Sequence, residues 1–327
     1  MNGTRSTMFR VALAAFALAG AGAVSASGID PKLPDYKAVS GVSGSLKSIG
    51  SDTLNNLMTL WSEGFSAKYP NVKLEIEGKG SSTAPPALIA GTSQFGPMSR
   101  PMKSAEIEKF EATHGYAPTP IRSAIDALAV YVHKDNPIEC LSLQQVDAIF
   151  SKTRNGGLGK NLATWGDVGM TGAWASRPIS LYGRNSASGT YGYFKEVALF
   201  NGDYKDTVKE QPGSSTVVQG VASDIAGIGY SGVGYKTADV RTVPLKTSAD
   251  GQCYDANEQN AVAGNYPIAR FLYIYVNKNP NQAMDPLRGE FIRFVYSKEG
   301  QSAVVKDGYF PVNHQLADTD LKAFGLK

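Results

Sequence analysis

Apolar residues follow two different spacings along this chain. Leu54, Leu57, Met58, Trp61 and Phe65 fall at helical intervals, which predicts a helix ending near Lys68-Tyr69-Pro70. Directly after it, "VKLEIEG" (72–78) alternates Val72, Leu74 and Ile76 with charged residues, as a half-buried strand does. "LAVYVHK" (128–134), "ISLYG" (179–183), "AGIGYSG" (226–232) and "LYIYVNK" (272–278) also read as strands, with helical patterns between several of them. Strands alternating with helices predict an α/β protein with mainly parallel sheets. Stretches near 122–132 and 266–277 are placed to carry the chain between two lobes, which makes the first lobe discontinuous. The boundaries expected are 45–125 plus 275–327 for the first lobe and 126–274 for the second, with 27–44, rich in Gly, Ser and Pro, as a loose lead-in.

The N-terminus departs from this alternation. Arg5 and Arg10 precede an apolar run (11–24), and small residues follow, the layout of a secretory signal peptide cleaved near Ala26. The run is too short and too rich in Ala and Gly to cross a bilayer comfortably. No cysteine stands at the cleavage point to be acylated, so the mature chain is expected to be soluble outside the cytoplasm. Removing residues 1–26 takes away two arginines and no acid, lowering the formal net charge from +3 to +1. A nearly neutral chain without clustered Lys and Arg argues against nucleic acid or an anionic membrane surface as partner. The two cysteines, Cys140 and Cys253, form one disulfide in the reading an exported chain favours, with two free thiols as the alternative. Two distant thiols without a neighbouring histidine make no metal site, and no metal or cofactor is expected.

Three stretches of Gly, Ser and Thr carry the candidate chemistry: "SIGSDTLNNL" (48–57), "GKGSSTAPPAL" (78–88) and "YGRNSASGTYGYF" (182–194). Each leads into a helical pattern; the second has Pro85 and Pro86, which a first helical turn tolerates. A helix start exposes up to four free N–H groups and a partial positive charge, so it attracts anions. Three starts meeting at one point would surround a tetrahedral oxyanion with donors. Arg184, four residues before Ser188, would add an always-charged fork suited to phosphate or sulfate. The plainer reading of any one stretch is a helix cap, in which Ser, Thr or Asp satisfies its own helix.

At these residues the chain resembles the periplasmic phosphate-binding proteins, the PstS-like substrate-binding components of ABC importers. The resemblance rests on "IGSDTL", "GKGSSTAPPALIAGTSQFGPMSR", "AIDALAVYVHKDNP", "LSLQQVDAIFS", "TWGDVG", "GRNSASGTYGYF", "AGIGYSGVGY" and "YPIARFLYIYV", in the family's order. It implies a two-lobed type II binding-protein fold, closing on its ligand between lobes joined by crossover strands. It also implies high-affinity capture of inorganic phosphate in the periplasm, delivery to the permease subunits of an ABC importer, and a monomer. Carried over position by position, Arg184, Ser188, Gly189 and Thr190 match the family's main anion loop. Ser51, Asp52 and Thr53 match its first loop, and Ser81, Ser82 and Thr83 its second.

Two departures stand out. Many family members have a carboxylate within the segment here written "GPMSRPM" (96–102), where it accepts the proton that phosphate retains; this chain has Ser99, followed by Arg100. Members often have an acid beside the anion-binding arginine, where this chain has Ser186. A site made only of donors suits sulfate as well as phosphate, whereas a carboxylate favours the ligand that still has a proton. Asp126, opening "DALAVYV", is the acceptor expected in its place, with Asp52 the alternative; Arg100 is expected to be a second anion contact.

Other classes fit less well. A phosphate-ester hydrolase built on Ser188 needs a base among just three histidines, His114, His133 and His314, and His114 and His133 read more simply as surface loop residues. No G-x-S-x-G elbow surrounds Ser188, and "GKGSST" lacks the spacing of a nucleotide-binding P-loop. A broader, sulfate-like oxyanion receptor, and an adhesion or signalling protein on the same fold, stay open as alternatives.

Overall fold

The computed structural model describes residues 28–326, so the signal-peptide reading and its cleavage near Ala26 lie outside the described residues. In chain order the first strands are β1 (Gly44–Gly50), β2 (Val72–Gly78), β3 (Phe95–Met98), β4 (Thr119–Ala127), β5 (Ala129–His133) and β6 (Leu141–Ser142). They are followed by β7 (Ser180–Arg184), β8 (Lys209–Gln211), β9 (Gly227–Ser231), β10 (Val240–Thr242), β11 (Leu245–Lys246) and β12 (Ala269–Val276). One five-stranded sheet has the order β2-β1-β3-β12-β4, another β10-β5-β9-β7-β8. Helices pack on both, giving two α/β lobes.

The sheets are mixed rather than mainly parallel. β1 runs parallel to β2 and β3, and β7 parallel to β8 and β9, but β12 is antiparallel to β3 and β4, and β5 antiparallel to β9 and β10. The reversal follows from the crossover. The chain leaves the first lobe along β4 and returns beside it along β12, so the two must run in opposite directions. All of β12 belongs to the first sheet, so the return lies before residue 269 rather than at 275. Likewise Asp126 and Ala127 end β4 within the first lobe rather than opening the second.

The first lobe's core forms around the helix Asn55–Lys68, whose Leu57, Met58, Trp61 and Phe65 are buried against Phe291 and Phe294. The helix thus buries the face that its spacing predicts. The lead-in is not loose. Leu33 and Val42 are buried in the same core, Lys298 N–H donates to the Pro34 carbonyl at 2.9 Å, and Tyr36 N–H to Glu299 at 2.8 Å. Two buried apolar residues among the polar ones help dock it, which composition alone conceals. In the second lobe Phe150, Trp165, Phe194 and Tyr230 are fully buried, with the Phe194 and Tyr230 rings stacked at 3.9 Å.

Cys140 and Cys253 are joined as a disulfide that closes a span of 113 residues. It flanks the small parallel ribbon of β6 and β11. A cross-link over so long a span restricts the unfolded chain strongly, and its removal typically costs about 2–5 kcal/mol. The variant Cys140→Ser/Cys253→Ser is therefore expected to unfold at clearly lower denaturant than the parent. Coincident unfolding curves would show that the bond contributes nothing.

Candidate functional site

The loops that follow β1, β2 and β3 all leave the same edge of the first sheet, at the carboxyl ends of its parallel strands. In open α/β sheets that edge is where ligands are held. The loop after β7 leaves the second sheet in the same sense and meets the other three in the cleft. Ser82 N–H donates to the Ala187 carbonyl across the cleft at 3.1 Å.

At the meeting point stands a cluster of buried hydroxyls. Ser51 Oγ donates to Ser99 Oγ at 3.0 Å, and Ser99 N–H donates to Ser81 Oγ at 3.0 Å. Thr53 Oγ1 and Thr190 Oγ1, from opposite lobes, are 2.9 Å apart, and Ser99 Oγ lies 3.4 Å from both Ser81 Oγ and Thr190 Oγ1. Ser51, Thr53, Ser81, Ser99 and Thr190 are all buried. Ser99 thus sits at the centre of the cluster. Gly189 starts the helix Gly189–Val197 and touches the same group. A Cβ built there would stand 2.2 Å from Ser81 Oγ and 2.7 Å from Ser99 Oγ.

Arg184 ends β7, only 1% exposed. Its Nη1 donates to Ser214 Oγ at 2.7 Å and its Nη2 to the Pro212 carbonyl at 3.0 Å. Asp52 reaches it from the other lobe: Oδ1 lies 3.2 Å from Nη2 and accepts from Ser214 N–H at 2.7 Å and Ser214 Oγ at 2.8 Å. Asp52 therefore supplies, across the cleft, the acid that Ser186 does not. Burial lowers the basicity of the guanidinium, and the Asp52 charge works against that. The buried Nε of Arg184 bonds to no protein atom. Orphaned buried donors cost about 1–3 kcal/mol, so one that is kept invites a ligand explanation.

Several expected contacts are placed differently. Ser188 caps its own helix, with Oγ accepting from Thr190 N–H at 3.1 Å and Tyr191 N–H at 3.4 Å. Thr83 Oγ1 donates to the Gly80 carbonyl at 2.8 Å, and the Ser82 side chain is exposed, so the second loop brings only Ser81 to the cluster. Arg100 is not free to bind an anion with its fork: Nη1 and Nη2 donate to the two Glu106 oxygens at 2.8 and 2.7 Å. Burial works against the Glu106 charge, but the Arg100 fork and the Lys103 N–H carry its carboxyl below the usual range. Asp126 is not an open acceptor. Its Oδ1 accepts from Val233 N–H at 2.9 Å, and its Oδ2 from Arg270 Nε and Nη2 at 2.9 and 2.8 Å. A buried carboxylate needs a paired cation, and β12 supplies one directly opposite.

Arg270 and Ser214 were missed among the candidates, although each left a signal. Arg270 is the lone charge in the strand-like "ARFLYIYV", and a charge among buried residues is paired or functional. Ser214 lies in "GSST" (213–216), the same tetrapeptide as at 80–83, and again ahead of a helix.

Comparison with known proteins shows the family. The family profile described as a PBP superfamily domain matches residues 36–299. The phosphate-binding protein PstS of Pseudomonas aeruginosa is 56% identical over 312 residues, spanning 95% of this chain and 97% of that protein. The chain belongs to the PstS phosphate-binding proteins. PstS of Staphylococcus haemolyticus is 29% identical over 80% of the chain and 79% of its own length. Among solved structures, a putative phosphate ABC transporter substrate-binding protein from Clostridium perfringens, with bound phosphate, superposes with a TM-score of 0.69. It is 25% identical and is matched over its full length by 82% of this chain. Membership in the PstS family makes the hydroxyl cluster and Arg184 the natural place to look for ligand.

Proposed function

We propose that this protein is a receptor that captures inorganic phosphate in the periplasm between its two lobes and delivers it, as a monomer, to the permease of an ABC importer. The observation that carries the reading is the buried, unpaired Nε of Arg184 beside a cluster of hydroxyls drawn from both lobes. An entering oxyanion would exchange hydroxyl–hydroxyl bonds for stronger, charge-assisted ones. It would also satisfy the orphan donor. Binding that requires both lobes favours the closed arrangement, which is what a transporter must recognise.

The same geometry supports binding rather than hydrolysis. Ser188 Oγ serves as a cap, and the three histidines are engaged with the Ile89 carbonyl, Asp135 and Asp30. Asp52 takes over the role first given to Asp126. Its Oδ1 accepts the bonds described above and its side chain keeps 23% of its surface accessible, which supports it as the group that meets the proton phosphate retains.

Calorimetric titration of the stripped protein with phosphate and, separately, sulfate, at two pH values, tests this. Phosphate is expected to bind more tightly by about tenfold to a hundredfold, the effect of one mismatched buried polar contact. Equal binding of both would mean a donor-only site and a broader oxyanion receptor. Silence with both would leave the three hydroxyl-rich stretches as ordinary helix caps.

A further inference from the structure

We propose that Arg270 is a positioning residue that sets the Thr190 hydroxyl as a dedicated donor to the anion and ties the two lobes together in the closed form. This rests on the phosphate-receptor reading above. Arg270 lies at the start of β12, directly opposite Asp126 on β4, and is 6% exposed. A purely structural ion pair would need only the Asp126 carboxylate. Arg270 does more: Nη1 donates to the Ser99 carbonyl at 2.7 Å and Nη2 to Thr190 Oγ1 at 3.0 Å. Its guanidinium carbon also stands 5.3 Å from the centre of the Tyr193 ring. It thus grips the loop after β3 in one lobe and the helix start in the other.

The chemistry of the donor decides the polarity of the hydroxyl. A guanidinium can only donate, so Thr190 Oγ1 must accept from it, and the threonine's own proton is left to point elsewhere. Within reach of that proton are Thr53 Oγ1 at 2.9 Å, Ser99 Oγ at 3.4 Å and, in the liganded site, an anion oxygen. A hydroxyl polarised by a cation donates more strongly, because hydrogen bonds in series reinforce one another in a low-dielectric interior. Arg270 therefore acts on the anion through Thr190, with its own charge balanced by Asp126. The Arg270–Thr190 bond spans the cleft, so it exists only while the lobes are closed.

The test is a double-mutant cycle on phosphate affinity, read by calorimetry. Arg270→Gln alone strands Asp126 in the interior and risks misfolding, so the working variant is Arg270→Gln/Asp126→Asn, which removes both charges. That variant and Thr190→Val are each expected to lose roughly tenfold or more in phosphate affinity. Combined, the three substitutions should lose little more than either alone, because one pathway cannot be broken twice. Arg270→Lys keeps the charge but cannot reach Asp126, Ser99 and Thr190 together, and should fall between parent and Gln variant. A merely structural Arg270 would give additive losses, or none in the charge-free pair; either result overturns the proposal. A parent protein silent to phosphate would instead overturn the functional reading beneath it, and the proposal with it.

Discussion

Replacing Arg184 with alanine is expected to weaken phosphate binding by two to three orders of magnitude or more. The guanidinium is buried, pairs with Asp52 across the cleft and with Ser214 in its own lobe, and its Nε is the one orphan donor on its fork. On the reading proposed above, its loss removes the charged contact to the anion and leaves the Asp52 carboxylate beside the ligand without a cation. Removing one partner of a buried charged pair costs about 3–5 kcal/mol, or roughly 150- to 5,000-fold in affinity. Arg100→Ala is the control. Both of its terminal nitrogens are held by Glu106 rather than left for an anion, so its effect on phosphate should stay within about tenfold, the size of one ordinary hydrogen bond. Calorimetry on the two variants decides the matter, and equal or reversed losses would remove Arg184 from the centre of the site.

Gly189→Ala should weaken binding while leaving the fold intact. The added methyl would meet Ser81 and Ser99 at 2.2 and 2.7 Å, and both of those residues belong to the opposite lobe. Within its own lobe the position is helical, and alanine is a better helix former there than glycine. The conflict therefore arises only on closure. Overpacking a well-filled contact costs about 1–3 kcal/mol, which corresponds to roughly fivefold to 150-fold in phosphate affinity. The unliganded protein should melt at or above the parent's temperature. Unchanged affinity would mean that the liganded protein is not closed in this way.

These two positions were visible in the sequence because both lie in a glycine- and hydroxyl-rich stretch at a helix start, a local pattern. The helix from Leu54 to Phe65 and the strand at 72–78 were visible for the same reason, since spacing alone predicts the buried face. What escaped is what depends on partners far along the chain. Asp126 looked open because nothing nearby in sequence reveals that Arg270 faces it from 144 residues away. Arg100 looked free because Glu106 becomes its partner only once the helix Ser104–His114 forms and turns its first residues back. The lead-in looked loose because Leu33 and Val42 find their burial against helices at the other end of the chain. Asp52 read equally well as a cap or a ligand, and its actual partners, Ser214 and Arg184, lie in the other lobe.

Three arginines surround the candidate site, and each has its own carboxylate: Arg184 with Asp52, Arg270 with Asp126, Arg100 with Glu106. The cleft is thus assembled from dipoles, not from surplus positive charge. Dipole fields fade quickly with distance, so little of the field of these pairs extends into the surrounding water to draw anions in. Electrolyte that screens charges beyond about 10 Å has little left to screen. An oxyanion would be recognised on contact rather than steered from afar, and capture should proceed at much the same rate in dilute and in briny surroundings.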